Sequence, residues 1–428
     1  MASSFHSLTV SSVVPEGQTA KAIGFRLPDE LRETFRFVPG QYLTLKAEID
    51  GEEVRRSYSI CSAPDDAELR VGIKKVDGGR FSTFAQALAA GDRIEVMPPE
   101  GRFTAEPGKV KNPLLIAAGS GITPVLSIAR SLLEGDPGAE ITLVYGNRTT
   151  DDIMFRETLE ELKDRFMDRF SLVFVLSRED QDVGIANGRI DADKLKLLAG
   201  KGLIDPASHD GVYLCGPQEM TEACSAALQE MGVSQDRIRF ELFTPADGGT
   251  IPPARKQEQE EKAAGDVVVE TILDGARRSF RMNGKQSKVL DAAHAAGIEL
   301  PFSCAGGMCC TCRCRVVEGK TEMDVNYSLQ PWEIEAGFTL ACQSRPLSEK
   351  LVLDFDASSR FGASVLSAIR SSLTHPKGAG IEEFEILSAF QYRTGAKPPE
   401  IHHEPSSPQP QIRPCPSQFL MERPLPAG

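Results

Sequence analysis

Residues Ser303–Cys314 read SCAGGMCCTCRC and hold five of the chain's ten cysteines, Cys304, Cys309, Cys310, Cys312 and Cys314. Such a run can form disulfides, bind zinc, carry an iron–sulfur cluster or simply be a buried strand. Spacing narrows the choice. Cys304, Cys309 and Cys312 follow C-x4-C-x2-C, and Cys342 comes later in FTLACQSRP, a ligand pattern for a [2Fe–2S] cluster. Two irons need four thiolates, and a negative cluster needs hydrogen-bond donors. Gly306 and Gly307 let backbone N–H groups turn inward. Cys310 and Cys314 lie outside the pattern and read as small apolar residues packed beside the loop. A zinc site through Cys309 and Cys312 would need a second ligand pair, and only Cys342 follows in this block.

Outward from the loop, composition bounds the possibilities. The 428 residues suggest about three domains, and 41% hydrophobic with 25% charged residues is ordinary for a globular protein. A net charge of -13 argues against nucleic acid as a main partner. No run of apolar residues is long enough to span a membrane. The N-terminal MASSFHSLTV lacks the charged and apolar regions of a secretory signal. A cytoplasmic, reducing setting is therefore expected, where clustered cysteines favour metal or catalysis over disulfides.

Along the chain, residues 1–108 show short β-type runs with turns between them, such as QYLTLKAEI (Gln41–Ile49), Asp50-Gly51 and RRSYSICSA. This predicts a small antiparallel barrel or sandwich. Residues 109–245 change rhythm to apolar strand, glycine turn and helix: PLLIAA, GSGITP, VLSIARSLLEG, then EITLVYG, FSLVFVLS and GVYLCG. That alternation predicts an α/β parallel sheet. Residues 246–265 are rich in Pro, Gly and charge and read as a linker. Residues 266–357 begin with a hairpin pattern, VVVETIL-DG-ARRSFRM, followed by a helix over SKVLDAAHAAG that Gly297 can end. The polar, proline-rich tail at 358–428 reads as disordered and without assigned function.

Larger segments carry a resemblance. GIELPFSCAGGMCCTCRCRVVEGKTEM with GFTLACQSRP resembles a plant-type ferredoxin domain, which implies a β-grasp fold with Cys304, Cys309, Cys312 and Cys342 as metal ligands. RSYS, Arg56–Ser59, resembles the flavin motif of the ferredoxin–NADP reductase family. The resemblance implies a barrel that binds FAD. Arg56 would pair with the pyrophosphate, Tyr58 would lie against the flavin ring, and Ser59 would bond near its reactive edge. GGRFST resembles the family's second phosphate element, implying Gly79, Ser82 and Thr83. AAGSGITP follows an apolar strand, where Gly119 and Gly121 would let backbone approach a pyrophosphate. It is not the full G-x-G-x-x-G pattern but resembles the reductase version, Thr123 and Pro124 included.

The remaining signatures stand at expected strand ends. Arg148 in YGNR, Ser177 and Arg178 in LSRE, and Arg189 in NGRI are candidates for a 2′-phosphate, which favours NADPH over NADH. LCGPQEM implies Cys215, Gly216 and Pro217 beside the nicotinamide, with Cys215 near the ring and, with Tyr58 and Ser59, in the catalytic group. Phe243 in FELF would cover the flavin. A hydride brings two electrons and a cluster takes one, so a flavin between them is a physical requirement. No general base is needed.

The order flavin, nicotinamide, ferredoxin resembles reductases that serve multicomponent oxygenases. VVEGKTEMDVNYSL and the terminal LVLDFDA are similar to reductases whose implied partner is a di-iron enzyme that epoxidises the ring of phenylacetyl-CoA. Reductases of ring- or steroid-hydroxylating oxygenases share the architecture and remain an alternative. A different class, a regulatory protein with a zinc-filled loop and a relict front half, would lack a reason for complete RSYS and GSGITP motifs.

Overall fold

The computed structural model describes residues 5–243, 267–282 and 288–357. The linker expected at 246–265 and the tail expected at 358–428 lie outside the described residues. No described helix is long and apolar enough to cross a membrane.

The first block folds as strands β1 (His6–Glu16), β2 (Ala20–Phe25), β3 (Tyr42–Ile49), β4 (Glu52–Ser59), β5 (Leu69–Lys74) and β6 (Arg93–Val96), with helix α1 at Arg80–Ala85. The described strands run in the order β4-β3-β6-β1-β2-β5, and every pairing is antiparallel. An Ile60–Val71 bridge joins the two edges, so the sheet closes on itself. Asp50 and Gly51 both take positive φ, 54° and 76°. That is the two-residue turn whose twist matches a hairpin, and it fixes the β3–β4 register that puts Tyr58 opposite Leu43. Leu8, Ile23, Phe25, Leu43, Leu45 and Val71 fill the interior, each fully buried side chain contributing roughly 1.5–3 kcal/mol.

The second block alternates as expected: β7 (Pro113–Ala118), α2 (Ile122–Gly135), β8 (Ile141–Asn147), α3 (Arg156–Arg165), β9 (Phe170–Leu176), α4 (Ala192–Gly200), β10 (Gly211–Gly216), α5 (Gln218–Glu230) and β11 (Ile238–Leu242). All pairings are parallel, in the order β11-β10-β7-β8-β9. Such a sheet buries both faces. One face packs Leu115, Ala117, Leu143 and Tyr145 under α2 and α3, in a core that also takes in Ala22, Phe103 and Ala105 of the barrel. The other face packs Leu114, Ile116, Val144 and Leu214 under α4 and α5. Arg130 of α2 forks onto Asp66 at 2.6 and 2.9 Å, fastening the parallel sheet to the barrel.

The third block comprises β12 (Val267–Leu273), β13 (Ala276–Met282), α6 (Val289–Ala295), β14 (Arg313–Glu318), β15 (Thr321–Met323), α7 (Pro331–Glu335), β16 (Phe338–Leu340), β17 (Ser344–Pro346) and β18 (Lys350–Asp354). Its larger described sheet has the order β13-β12-β18-β14-β16, with β12 and β18 parallel and the other pairs antiparallel. Helix α6 lays Val289, Leu290, Ala292 and Ala293 on that sheet. Asp274-Gly275 repeats the positive-φ hairpin turn, and Gly297, at φ 71°, ends the helical segment, its N–H bonded to the His294 carbonyl. The cysteine loop lies between α6 and β14.

Candidate functional site

The cysteine loop departs from ordinary backbone at three points. Ala305 and Cys310 take φ of 50° and 59°, and Gly307 takes 79°. Left-handed backbone costs a non-glycine residue roughly 1–2 kcal/mol, a cost that the loop accepts in order to face its N–H groups inward. Gly306 N and Cys309 N donate to the Cys304 sulfur at 3.3 and 3.4 Å, and Cys304 N donates to the Cys309 sulfur at 3.5 Å. Buried Gln343 donates to the Cys342 sulfur at 3.6 Å and to the Ala305 carbonyl at 2.9 Å.

The four expected ligands fall into two thiol pairs. Cys304 is held down to about 6 by the Cys309 thiol and by backbone N–H groups, and Cys309 is correspondingly pushed up. Cys312 and Cys342 repeat the relation, with Cys342 lowered and Cys312 raised. A tetrahedral zinc needs four ligands converging on a single point. Two adjacent pairs with inward N–H donors instead suit two bridged irons, so these residues fit a [2Fe–2S] cluster. Cys314 is fully buried in the core. Cys310 is half-buried, and its sulfur accepts from Arg102 at 3.0 Å.

A cavity of about 540 Å³ opens beside this loop. Arg56, Tyr58, Ser59, Gly79, Ser82, Thr123 and Phe243 line it, and so do Cys304 and Cys309. Flat faces of Tyr58 and Phe243 stand among the cations Arg56 and Lys74, and the volume is that of a cofactor site; these residues fit a flavin. Ser82 accepts from Val76 N and donates to the Gly79 carbonyl, which ties the turn before α1, whereas Thr83 is exposed.

The other expected contacts sit elsewhere. Gly121 is pressed on the end of β10, where an added Cβ would lie 2.0 Å from the Cys215 carbonyl oxygen. Gly119 takes φ 54°, and its carbonyl accepts from the Tyr145 hydroxyl at 2.9 Å. Pro124 is buried in the first turn of α2. Cys215 and Gly216 are buried at the end of β10, and Pro217 precedes α5. Arg148 and Arg178 are neighbours through an Arg178 N to Arg148 O bond of 2.8 Å, and Ser177 N bonds Asn147 O at 3.0 Å. Exposed Arg189 follows Gly188, whose N–H bonds the Leu176 carbonyl. These four residues gather at the carboxyl ends of β8 and β9, the usual ligand side of such sheets.

Comparisons with known proteins meet this geometry. Family models described as Oxidoreductase FAD-binding domain, Oxidoreductase NAD-binding domain and 2Fe-2S iron-sulfur cluster binding domain match residues 7–105, 115–226 and 271–347. The chain is 42% identical over 356 residues to a component of the 1,2-phenylacetyl-CoA epoxidase of Escherichia coli (strain K12), covering 82% of this chain and 98% of that one. It is 37% identical to the ferredoxin reductase component of 3-ketosteroid-9-alpha-monooxygenase from Rhodococcus rhodochrous, covering 81% and 96%. The chain belongs to this family of oxygenase reductases. A solved structure of an intact type IV self-sufficient cytochrome P450 monooxygenase shares the fold, with a TM-score of 0.58 at 23% identity, covering 82% of this chain and 41% of that one.

The reductase thus binds FAD, a nicotinamide nucleotide and a [2Fe–2S] cluster. Its cavity also recruits residues that motif reading passed over. Glu241, one of the residues of FELF, accepts from the Ser59 hydroxyl at 2.9 Å. Burial pushes its carboxyl up to about 7 against the pull of that bond. The neighbours Phe240 and Leu242 gave no signal of it, because successive strand residues point to opposite faces and its partner Ser59 lies far along the chain.

This shift has a sign. The folded value lies above the ordinary 4.5, so the folded reductase binds a proton that the unfolded chain releases. The resulting stability is full below about pH 4.5 and is lost as the pH rises through about 7. Glu241→Gln is expected to melt above the parent at pH 8 and together with it at pH 5, measured by thermal unfolding. An equal shift at both pH values would refute the assignment.

Proposed function

We propose that this reductase takes a hydride from NADPH and delivers its electrons singly to a separate di-iron oxygenase of the phenylacetyl-CoA epoxidase kind. One observation carries the reading. Six of the residues expected to hold the flavin, Arg56, Tyr58, Ser59, Gly79, Ser82 and Phe243, line a single cavity with two of the cysteines expected to hold the cluster. When bound, FAD supplies acceptance of an electron pair and its release one electron at a time to an iron–sulfur acceptor.

The chain's own residues bind, orient and shield. Arg56 offers a bidentate cation for the flavin pyrophosphate, helped by the hydroxyls of Ser82 and Thr83 beside Gly79. Tyr58 packs against Phe81 at 5.6 Å, which steadies its ring for a flavin face, while Phe243 covers the cavity from the other block. Ser59 holds its hydroxyl proton toward Glu241 Oε2. Gly119, Gly121, Thr123 and Pro124 form the turn that a nicotinamide pyrophosphate would approach, with Cys215, Gly216 and Pro217 at the ring end. Arg148, Ser177, Arg178 and Arg189 favour a 2′-phosphate and therefore NADPH. Unpaired cysteines in the described residues suit a reducing cytoplasm.

The test is an anaerobic titration of the purified holoprotein with NADPH and with NADH, followed by absorbance. Flavin bleaching followed by loss of cluster absorbance, at lower NADPH than NADH, is expected; a cluster left oxidised sinks the route. Reconstitution with the oxygenase components of a phenylacetyl-CoA epoxidase, against a steroid-hydroxylating oxygenase as competitor, decides the acceptor.

A further inference from the structure

We propose that Arg102 and Tyr42 of the barrel are positioning residues that clamp the cluster loop onto the flavin cavity and thereby set the rate of electron transfer between the two cofactors. The proposal rests on the reading of that cavity given above. Arg102 reaches out of the loop after β6 and meets three separate segments of the ferredoxin block. Its guanidinium donates to the Cys310 sulfur at 3.0 Å and to the Ser328 carbonyl at 2.7 Å, and it pairs with the Glu333 carboxylate at 2.5 Å.

Glu333 is the hub. Its side chain is wholly buried, it accepts from Gln330 N at 3.0 Å, and it also pairs with Arg313, the residue after ligand Cys312. A continuous charge chain therefore runs from the barrel to the cluster loop. Removing one partner of a buried pair leaves the other poorly compensated. A lysine cannot replace the fork, because one ammonium lacks the fixed planar geometry that serves several acceptors at once.

Tyr42 closes the second side. Its ring lines the cavity, and its hydroxyl donates to the Cys309 carbonyl and pairs with Thr311 Oγ1 at 2.9 Å. Gly101 makes the two contacts compatible: at φ 115° it brings the chain so near that an added Cβ would stand 3.0 Å from the Tyr42 ring. Three consecutive residues of the loop, Cys309, Cys310 and Thr311, are thus gripped from Tyr42 and Arg102 together. The transfer concerned moves single electrons. Reduced flavin is oxidised by one and the cluster reduced by one, with no bond made or broken at either residue.

The test is stopped-flow mixing of anaerobic NADPH with holoprotein, resolving flavin bleaching from the later cluster phase, alongside hydrogen–deuterium exchange over residues 309–313 and 328–336. Arg102→Gln is expected to slow the cluster phase about tenfold, the effect of losing one charge-assisted contact, with flavin bleaching as in the parent and exchange faster in both segments. Arg102→Lys should fall between. Tyr42→Phe, which keeps the ring, should slow the cluster phase more than flavin bleaching, and it decides the matter if Arg102→Gln assembles no cluster. Parental exchange and an unchanged cluster phase in these variants would overturn the clamp, as would equal slowing of both phases. A parent protein whose flavin bleaches while its cluster stays oxidised would instead overturn the electron route itself.

Discussion

Cys312→Ser is expected to purify with flavin and without its iron and sulfide, the largest effect of any single change in the chain. Cys312 is 2% exposed and belongs to the ferredoxin core together with Cys342 and Leu340. Serine there removes one of four thiolates and buries a hydroxyl in an apolar setting. The remaining pair, Cys304 and Cys309, can serve one iron only. Iron and sulfide analysis and the visible spectrum measure the outcome, and a full complement of iron would disprove the ligand assignment. Cys310→Ser is the matched control. Its sulfur meets Arg102 and not the thiol pairs, and a serine hydroxyl can accept the same bond, so the cluster should remain.

Gly121→Ala should be nearly as damaging on the nicotinamide side. The backbone angle of Gly121 is ordinary, with φ -60°, so the glycine is required by proximity. An added Cβ would stand 2.0 Å from the Cys215 carbonyl oxygen and 2.5 Å from its carbon. Both are backbone atoms of a central strand and cannot swing aside. The turn between β7 and α2 must then lift off β10, at a cost of about 3 kcal/mol or more. Nicotinamide-driven flavin bleaching is expected to collapse and the melting temperature to fall. Gly119→Ala provides the contrast. That position has a positive φ and open space around it, so its cost should be roughly 1–2 kcal/mol. Equal melting temperatures for the two variants would show that the close approach is not what the glycine serves.

Local chemistry explains what could be read in advance. Asp50-Gly51 and Asp274-Gly275 signal their hairpins within two residues. The C-x4-C-x2-C run marks its candidate ligands, and with them the 2Fe-2S domain, within nine residues, and PLLIAA before GSGITP announces a strand, a turn and a helix. In each case the determining interactions are short-range or periodic. The missed residues depend on partners far along the chain. Glu241 acquires its character from Ser59, 182 positions away, and Arg102 from Glu333, on the far side of the whole parallel sheet in sequence. Nothing near Arg102 in GRFTAEPGK distinguishes it from a solvated arginine. Cys310 is a middle case: adjacent to an expected ligand and read as lying outside the ligand pattern, it touches the barrel as well as its own core.

The position of β18 bears on how the protein matures. This strand, Lys350–Asp354, comes last among the described strands yet inserts between β12 and β14. During synthesis the barrel and the parallel sheet are complete once Phe243 has emerged, and both can fold as units. The ferredoxin sheet has a gap at its centre for the next hundred or so residues, and Cys342 arrives only shortly before the strand that fills it. Biogenesis is therefore ordered by topology: nucleotide sites first, iron last. A cell short of iron or of assembly machinery would accumulate a flavoprotein able to accept a hydride and unable to pass it on.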